Sequence, residues 1–292
     1  MSYSKQELAE ILNNPDFTPA NDWSKKPVEW FEGNKVYISI PFTWNLTSAF
    51  SKCVYYRDLG YEVHAGGPAV SLMPEILAGV AIIGESIPSL SRHNPDATKF
   101  STGCINTCEF CAVRITEGDL KEQRGDPKPI VCDNNIFACS LKHFDYAIDT
   151  LMPVPGVDFN QGLDCRLMNS HHLERMKDLD LKYIRFSWDY LAEELFVMDA
   201  IKKVREVGYP KDKIRVYVLF NHKDTPEDAT YRLNTLKTMG IVSNPMRFQP
   251  LKTLVRDSYV APAWSRGELK RFTRYWNRSA WLGGIKYDDY RG

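Results

Sequence analysis

Between residues 35 and 251, short apolar runs alternate with longer stretches in which apolar residues recur every three or four positions. This is the pattern of strands separated by amphipathic helices. The first repeat is a strand over 35–40, a helix over 48–59 ended by Gly60, and a strand over 61–64 running into Gly66-Gly67-Pro68. A short helix over 71–78 and an apolar strand over 80–83 complete a small β-α-β module, Rossmann-like in rhythm, assigned to 35–96. Ahead of it, residues 1–34 carry a helical pattern over 6–12 and then a Trp- and Pro-bearing stretch, which we read as an ordered arm.

From residue 97 the alternation becomes regular. Strands are predicted over 98–102, 129–132, 157–159, 183–187, 214–219 and 246–251, and helices over 141–151, 170–179, 191–207 and 226–239. Thr225-Pro226 supplies a cap and a proline at the first helical position, and Gly208 and Gly240 stand at helix ends. Each crossover has room for one helix, so 97–251 is expected to form one closed or partly closed barrel of parallel strands. Polar residues gather just past the predicted strand ends, at Asp133-Asn134-Asn135, Asn160 to Asp164, Trp188-Asp189 and Asn221-His222. Parallel barrels carry their sites at that rim. Residues 252–292 read as a helical extension in which Lys270, Arg271, Arg274 and Arg278 interleave with Phe272, Tyr275 and Trp276. Such a helix either grips a phosphate backbone or packs its aromatics inward and leaves its cations in water.

Composition narrows the partners. Lys plus Arg equal Asp plus Glu at 37 each, so no global field draws the chain to nucleic acid, and any such partner must meet a local patch. No run approaches the roughly 20 apolar residues that span a bilayer, and the first residues hold no apolar signal core, so a cytoplasmic protein is expected. Seven cysteines form an odd set without a disulfide rhythm, which fits a reducing compartment.

Three of those cysteines, Cys104, Cys108 and Cys111, fall within eight residues in the spacing C-x3-C-x2-C. Thiolates suit zinc or iron and sulfide. Structural zinc wants four protein ligands, and a fourth would have to be brought by folding from Cys132, Cys139, Cys165 or a histidine. Three thiolates can instead hold three irons of a cubane cluster and leave the fourth iron open. The spacing, the aromatic Phe110 before the last cysteine and the text Gly103-Cys-Ile-Asn-Thr-Cys-Glu-Phe-Cys-Ala-Val-Arg114 resemble the signature loop of the radical S-adenosylmethionine (radical SAM) superfamily. The likeness is greatest to members with a cobalamin-binding-type module before the barrel.

That resemblance implies a partial (β/α)6 barrel, a [4Fe-4S] cluster on Cys104, Cys108 and Cys111, and SAM chelated to the open iron. It implies reductive cleavage of SAM to a 5′-deoxyadenosyl radical that takes hydrogen from a substrate, with an electron donor such as flavodoxin or ferredoxin. It also places SAM contacts at the rim: Phe110; Asp133 and Asn134, where a Gly-Gly-Glu type motif is common in the family; Gln161, Asp164 and Arg166, the last a partner for the SAM carboxylate; Ser187 and Asp189; and Leu219 near adenine. Glu117 either pairs with Arg114 or meets substrate. His93 either covers the cluster or is a hydrogen-bonded loop residue, and His171 and His172 are expected at the surface. The 35–96 module is too short for a full cobalamin domain, and His64 lacks the D-x-H-x-x-G context, so no cobalamin is expected. The leading expectation is modification of a nucleoside, nucleotide or nucleic acid. The alternatives are peptide or small-metabolite substrates, cobalamin-dependent methyl transfer, or a non-catalytic zinc or iron–sulfur protein.

Overall fold

The computed structural model describes residues 23, 25–84, 89–277 and 284–291. The helical pattern over 6–12 and Arg278 lie outside them. The described chain is mixed α/β and divides into two compact units, Trp23–Arg185 with Gln249–Tyr259, and Phe186–Phe248 with the described part of Val260–Gly292. The division runs through a strand, not ahead of residue 97.

In the first unit, β1 (Val28–Glu32) turns back antiparallel on β2 (Lys35–Ser39), which runs parallel to β3 (Glu62–Gly66) through helix α1 (Leu46–Asp58). Alternation places Val36, Ile38 and Ile40 against one face, and α1 adds Leu46, Ala49 and Cys53 from a single stripe. Val63, Ala65, Ala69, Val70 and Leu77 close this core. The strand expected over 80–83 is a single bridge between His64 and Ile82, held by Ala65 N–H to the Ile82 carbonyl at 2.9 Å and Ile82 N–H to the Val63 carbonyl at 2.8 Å. Helix α2 (Pro68–Leu72) starts earlier than its predicted span, because Pro68 takes a first-turn position where its missing N–H costs nothing. Gly67 precedes it at φ 93°, and a Cβ there would press on the Ile40 backbone.

A short helix α3 (Leu90–His93) leads to the segment expected as one strand over 98–102, which is split. β4 (Ala97–Thr98) joins the main sheet, whereas β5 (Ser101–Thr102) pairs antiparallel with β6 (Lys121–Glu122). The cause is Asp133: its carboxylate accepts the Phe100 N–H at 2.9 Å and the Ser101 hydroxyl at 2.5 Å, replacing the strand neighbour those residues would need. Between β5 and β6 lies α4 (Val113–Thr116).

The main sheet holds β4, β7 (Ile130–Val131), β8 (Val157–Phe159), β9 (Leu181–Ser187), β10 (Ile214–Phe220) and β11 (Val242–Arg247), in chain order across six parallel strands. Helices α5 (Leu141–Leu151), α6 (Ser170–Met176), α7 (Glu194–Glu206) and α8 (Pro226–Met239) supply the crossovers from β7 onward. Their inward stripes are periodic: Phe144, Ala147, Ile148 and Leu151 on α5, Val197, Ala200, Ile201 and Val204 on α7. β11 begins four residues before its predicted start, and its Pro245 is tolerated because the strand ends the sheet order and pairs only with β10.

Helix α9 (Arg266–Asn277) buries Leu269, Phe272, Tyr275 and Trp276. Phe272 lies 4.9 Å from the Phe220 ring and 5.0 Å from Trp264, while Lys270 is exposed. Its aromatics therefore serve the core and offer no stacking surface. Among the described residues no helix is long and apolar enough to cross a membrane.

Arg232 of α8 is fully buried and ties this second unit together. It donates to the carbonyls of Trp188 at 2.7 Å and Asp189 at 2.8 Å, and to the buried Asp224 carboxylate at 2.6 Å. Removing one partner strands the other charge away from water. Arg232→Ala should lower unfolding free energy by about 3–5 kcal/mol in denaturant titrations. Arg232→Lys should recover only part of it, because one ammonium cannot match the guanidinium fork.

Candidate functional site

The three-cysteine loop occupies the excursion between β5 and β6, and its base is tightly fixed. Gly103 has φ 73°, and a Cβ there would overlap the Asp119 carbonyl, so only glycine admits this crossing of the two loop ends. Cys104 N–H donates to the Gly118 carbonyl at 3.2 Å. Arg114 donates to the Cys104 carbonyl at 2.8 Å and pairs with Asp119, not with Glu117. Farther out, Cys111 N–H donates to the Cys108 carbonyl at 3.0 Å, and α4 begins two residues later at Val113. Cys104, Cys108, Phe110 and Cys111 are all half-buried.

Glu117 locks this base. One oxygen accepts Lys99 Nζ at 2.7 Å; the other accepts the Gly103 N–H at 2.9 Å and Asn134 Nδ2 at 2.7 Å. Asn134 Nδ2 also reaches the Gly103 carbonyl at 3.3 Å. Burial pushes the Glu117 carboxyl upward, but Lys99, the Gly103 N–H and Asn134 outweigh it and hold the group below its ordinary value. Sequence reading named Glu117 without finding these partners, since Lys99 and Asn134 are distant in the chain.

Of the three residues after β7, Asp133 is spent on Phe100 and Ser101; burial pushes its carboxyl above the usual range against their hydrogen bonds. Asn134 braces the loop. Asn135 is 2% exposed, and neither its amide oxygen nor its amide nitrogen has a partner among the described residues. An unmet buried donor or acceptor costs about 1–3 kcal/mol, so a fully orphaned amide marks a place where a polar group is missing.

After β8, Gln161 is exposed, while Asp164 accepts Arg166 through Nε at 2.8 Å and Nη2 at 2.7 Å. The same carboxylate accepts Asn106 Nδ2 at 2.9 Å, so the tip of the cysteine loop is tethered to the β8 rim. Burial raises the Asp164 carboxyl, and Arg166 and Asn106 overcome that and lower it. Arg166 is thus Asp164's partner within the chain.

Among the described residues no three His, Cys, Asp or Glu side chains are gathered into a metal-holding group, the three loop cysteines included. Cys132 and Cys139 sit in the core as thiols, pushed up by burial to about 12 and about 11. A cluster nevertheless suits the donor set: three part-exposed thiols on one loop fixed at its base, with Asn134 bracing that base and its chain neighbour Asn135 carrying a buried amide whose hydrogen bonds are unmade.

Compared with family models, curated proteins and solved structures, the chain has no match in any of the three. The site therefore rests on its own residues.

Within the second unit, Ser187, Asp189 and Leu219 converge. The Asp189 carboxyl is pushed up to about 7 by burial and by Glu193, against Arg232, the Ser187 hydroxyl and the Leu219 N–H. Glu193 accepts the N–H groups of Asp189 at 2.8 Å and Tyr190 at 3.2 Å. Tyr190 Oη lies 3.2 Å from His222 Nδ1. Sequence reading missed this Tyr190–His222 pair.

The histidines resolve individually. His93 hydrogen-bonds Ser39 Oγ at 2.9 Å, the loop-residue alternative, and His171 pairs with Asp145 at 2.8 Å. His172 is not at the surface: it is 2% exposed, stacks on Phe137 at 4.5 Å and accepts the Asn169 N–H at 3.4 Å to cap α6. Its expected position failed because an imidazole can close a helix start from inside the core.

The Asp189 arrangement has a pH signature. A carboxyl raised in the folded state binds a proton there that the unfolded chain releases, so its contribution is intact below about pH 3.8 and is lost as pH rises through about 7. Asp189→Asn, which cannot ionise, should flatten the fall in Tm across that window, read by thermal melts from pH 4 to 8.

Proposed function

We propose that this chain is a radical SAM enzyme whose [4Fe-4S] cluster is held by Cys104, Cys108 and Cys111. The observation that carries the reading is the loop itself: three thiols on one excursion, clamped at its base by Glu117 and tethered by Asn106 to Asp164. A bound cluster supplies the electron that cleaves SAM into methionine and a 5′-deoxyadenosyl radical. The protein's part is to fix the ligands, orient SAM and keep water and stray hydrogen donors away.

In this reading Gly103 and Glu117 set the position from which Cys104 projects. Asn135, with a donor and an acceptor both unspent, takes the amino-acid end of SAM, and Asn134 keeps that segment against the loop. Asp164 holds Arg166 and the loop tip. The unbroken chain order of the six strands supports a partial (β/α)6 barrel, since successive right-handed crossovers that never reverse direction curl a sheet one way. An electron donor such as flavodoxin or ferredoxin, a cytoplasmic setting and a nucleoside, nucleotide or nucleic-acid substrate complete the proposal. The short module is without cobalamin.

Anaerobic reconstitution with iron and sulfide, then dithionite and SAM, tests it. The parent should form 5′-deoxyadenosine, and Cys108→Ala should form none. Protein that carries stoichiometric zinc and cleaves no SAM would sink the reading.

Glu117→Gln introduces an amide that cannot accept from Lys99, Gly103 and Asn134 together. It should lower bound iron per chain and broaden the cluster's reduced electron paramagnetic resonance signal, while circular dichroism stays that of the parent. An unchanged signal would mean that the clamp is unconnected to the ligands.

A further inference from the structure

The turn after β2 carries aromatic surface that neither the core nor the cysteine loop uses. Thr43 is buried, and its Oγ1 donates to the Thr253 carbonyl at 2.5 Å. This pins the turn between its two flanking rings: Phe42 and Trp44 stack at 4.6 Å with planes 8° apart, Phe42 37% exposed and Trp44 half-buried. The Arg256 guanidinium lies 5.9 Å from the Trp44 ring centroid.

Arg256 comes from the segment Gln249–Tyr259, which is braced across its own base. Gln249 Nε2 donates to Asp257 Oδ1 at 2.8 Å, and the Asp257 N–H returns to Gln249 Oε1 at 3.1 Å. The pinned Thr253 is preceded by exposed Lys252. The segment carries the exposed cations Lys252 and Arg256 and one carboxylate, Asp257, which lies 3.5 Å from Arg256 Nε, in a chain whose net charge is zero. It is also close to the candidate site by packing. The 43–45 turn rests on α2, and α2 rests on α4, the helix that begins just after Cys111.

A stacked ring pair left partly in water gains by being covered by a partner of matching shape. Flat parallel rings beside cations are complementary to a planar ring carried on an anionic chain. A partner helix would need a continuous aliphatic groove instead. We infer that this surface binds single-stranded nucleic acid, with an unpaired base stacked on Phe42 and Trp44 and adjoining phosphates met by Arg256 and Lys252. The inference rests on the radical SAM reading only in taking that strand to be the substrate.

Fluorescence anisotropy with the full-length protein and a labelled single-stranded oligonucleotide tests it, with an abasic oligomer of equal length as control. The parent should bind the base-bearing strand, and Phe42→Ala should weaken it about 5- to 150-fold, the range that loss of one stacked base implies. Phe42→Trp should bind like the parent and Phe42→Leu should not. Arg256→Ala should reduce the salt slope by about one. Tyr55→Ala, on exposed α1, should change nothing. Equal binding of the abasic strand, or no strand binding at all, overturns the inference. So does a dimer in sedimentation that Phe42→Ala dissociates, which would assign the patch to a second copy. 5′-Deoxyadenosine formed by the parent without substrate reports the radical SAM reading separately. A parent that binds the strand but never cleaves SAM keeps this surface and loses that reading.

Discussion

Glu117 has to be charged, and it has to be charged in a place largely withdrawn from water. Its carboxylate is affordable there because an ammonium, a backbone N–H and a side-chain amide converge on its two oxygens. The arrangement joins four separate stretches of chain: the residue after β4, the first residue of the cysteine loop, the end of that loop and the segment after β7. The Asp119 carbonyl can pass beside Gly103 only because residue 103 has no Cβ, and Asp119 follows Glu117 by two residues. The position of Cys104 is inherited from that one carboxylate.

A second carboxylate shapes the same region differently. Asp133 takes up the backbone of Phe100 and the side chain of Ser101, so the chain leaves the parallel sheet after Thr98 and starts a hairpin. This is where reading the sequence and observing the fold part company. Periodicity located β8, α5 and α8 to the residue, since each is an uninterrupted run with its own caps: Ser140 before α5, Thr225 and Gly240 around α8. It could not locate the split of the 98–102 strand, which is imposed by a side chain more than thirty residues away. Nor could it find β1, whose Trp30 is buried while the adjoining Phe31 is exposed, because hairpin pairing there substitutes for a clear alternating pattern.

The candidate site was legible as residue types and spacing, and illegible as partnerships. The three cysteines and the acidic and amide residues at strand ends stand out in the sequence. That Asp164 is engaged by Arg166 and Asn106, that Asp133 serves the backbone, and that Asn135 has both polar ends unmet among the described residues depend on which groups folding brings together. The tail shows the converse. Its basic and aromatic composition resembles a nucleic-acid grip, yet a strong apolar stripe consigns Phe272, Tyr275 and Trp276 to the core, while an inconspicuous Phe-Thr-Trp triplet keeps Phe42 at the surface and Trp44 half-buried with its middle residue pinned inward.

The hairpin that carries the cysteines has a consequence for assembly. β5 and β6 are neighbours through their own excursion, and β4 keeps its place beside β7 without them. The three cysteines therefore sit on an outgrowth whose own strand pairing is separate from the register of the parallel sheet. Under the proposed reading, such a chain would complete its fold first and take up iron and sulfide afterwards, and would lose them without disturbing the parallel sheet. In that reading cluster loading would be a local event, separable in time from synthesis.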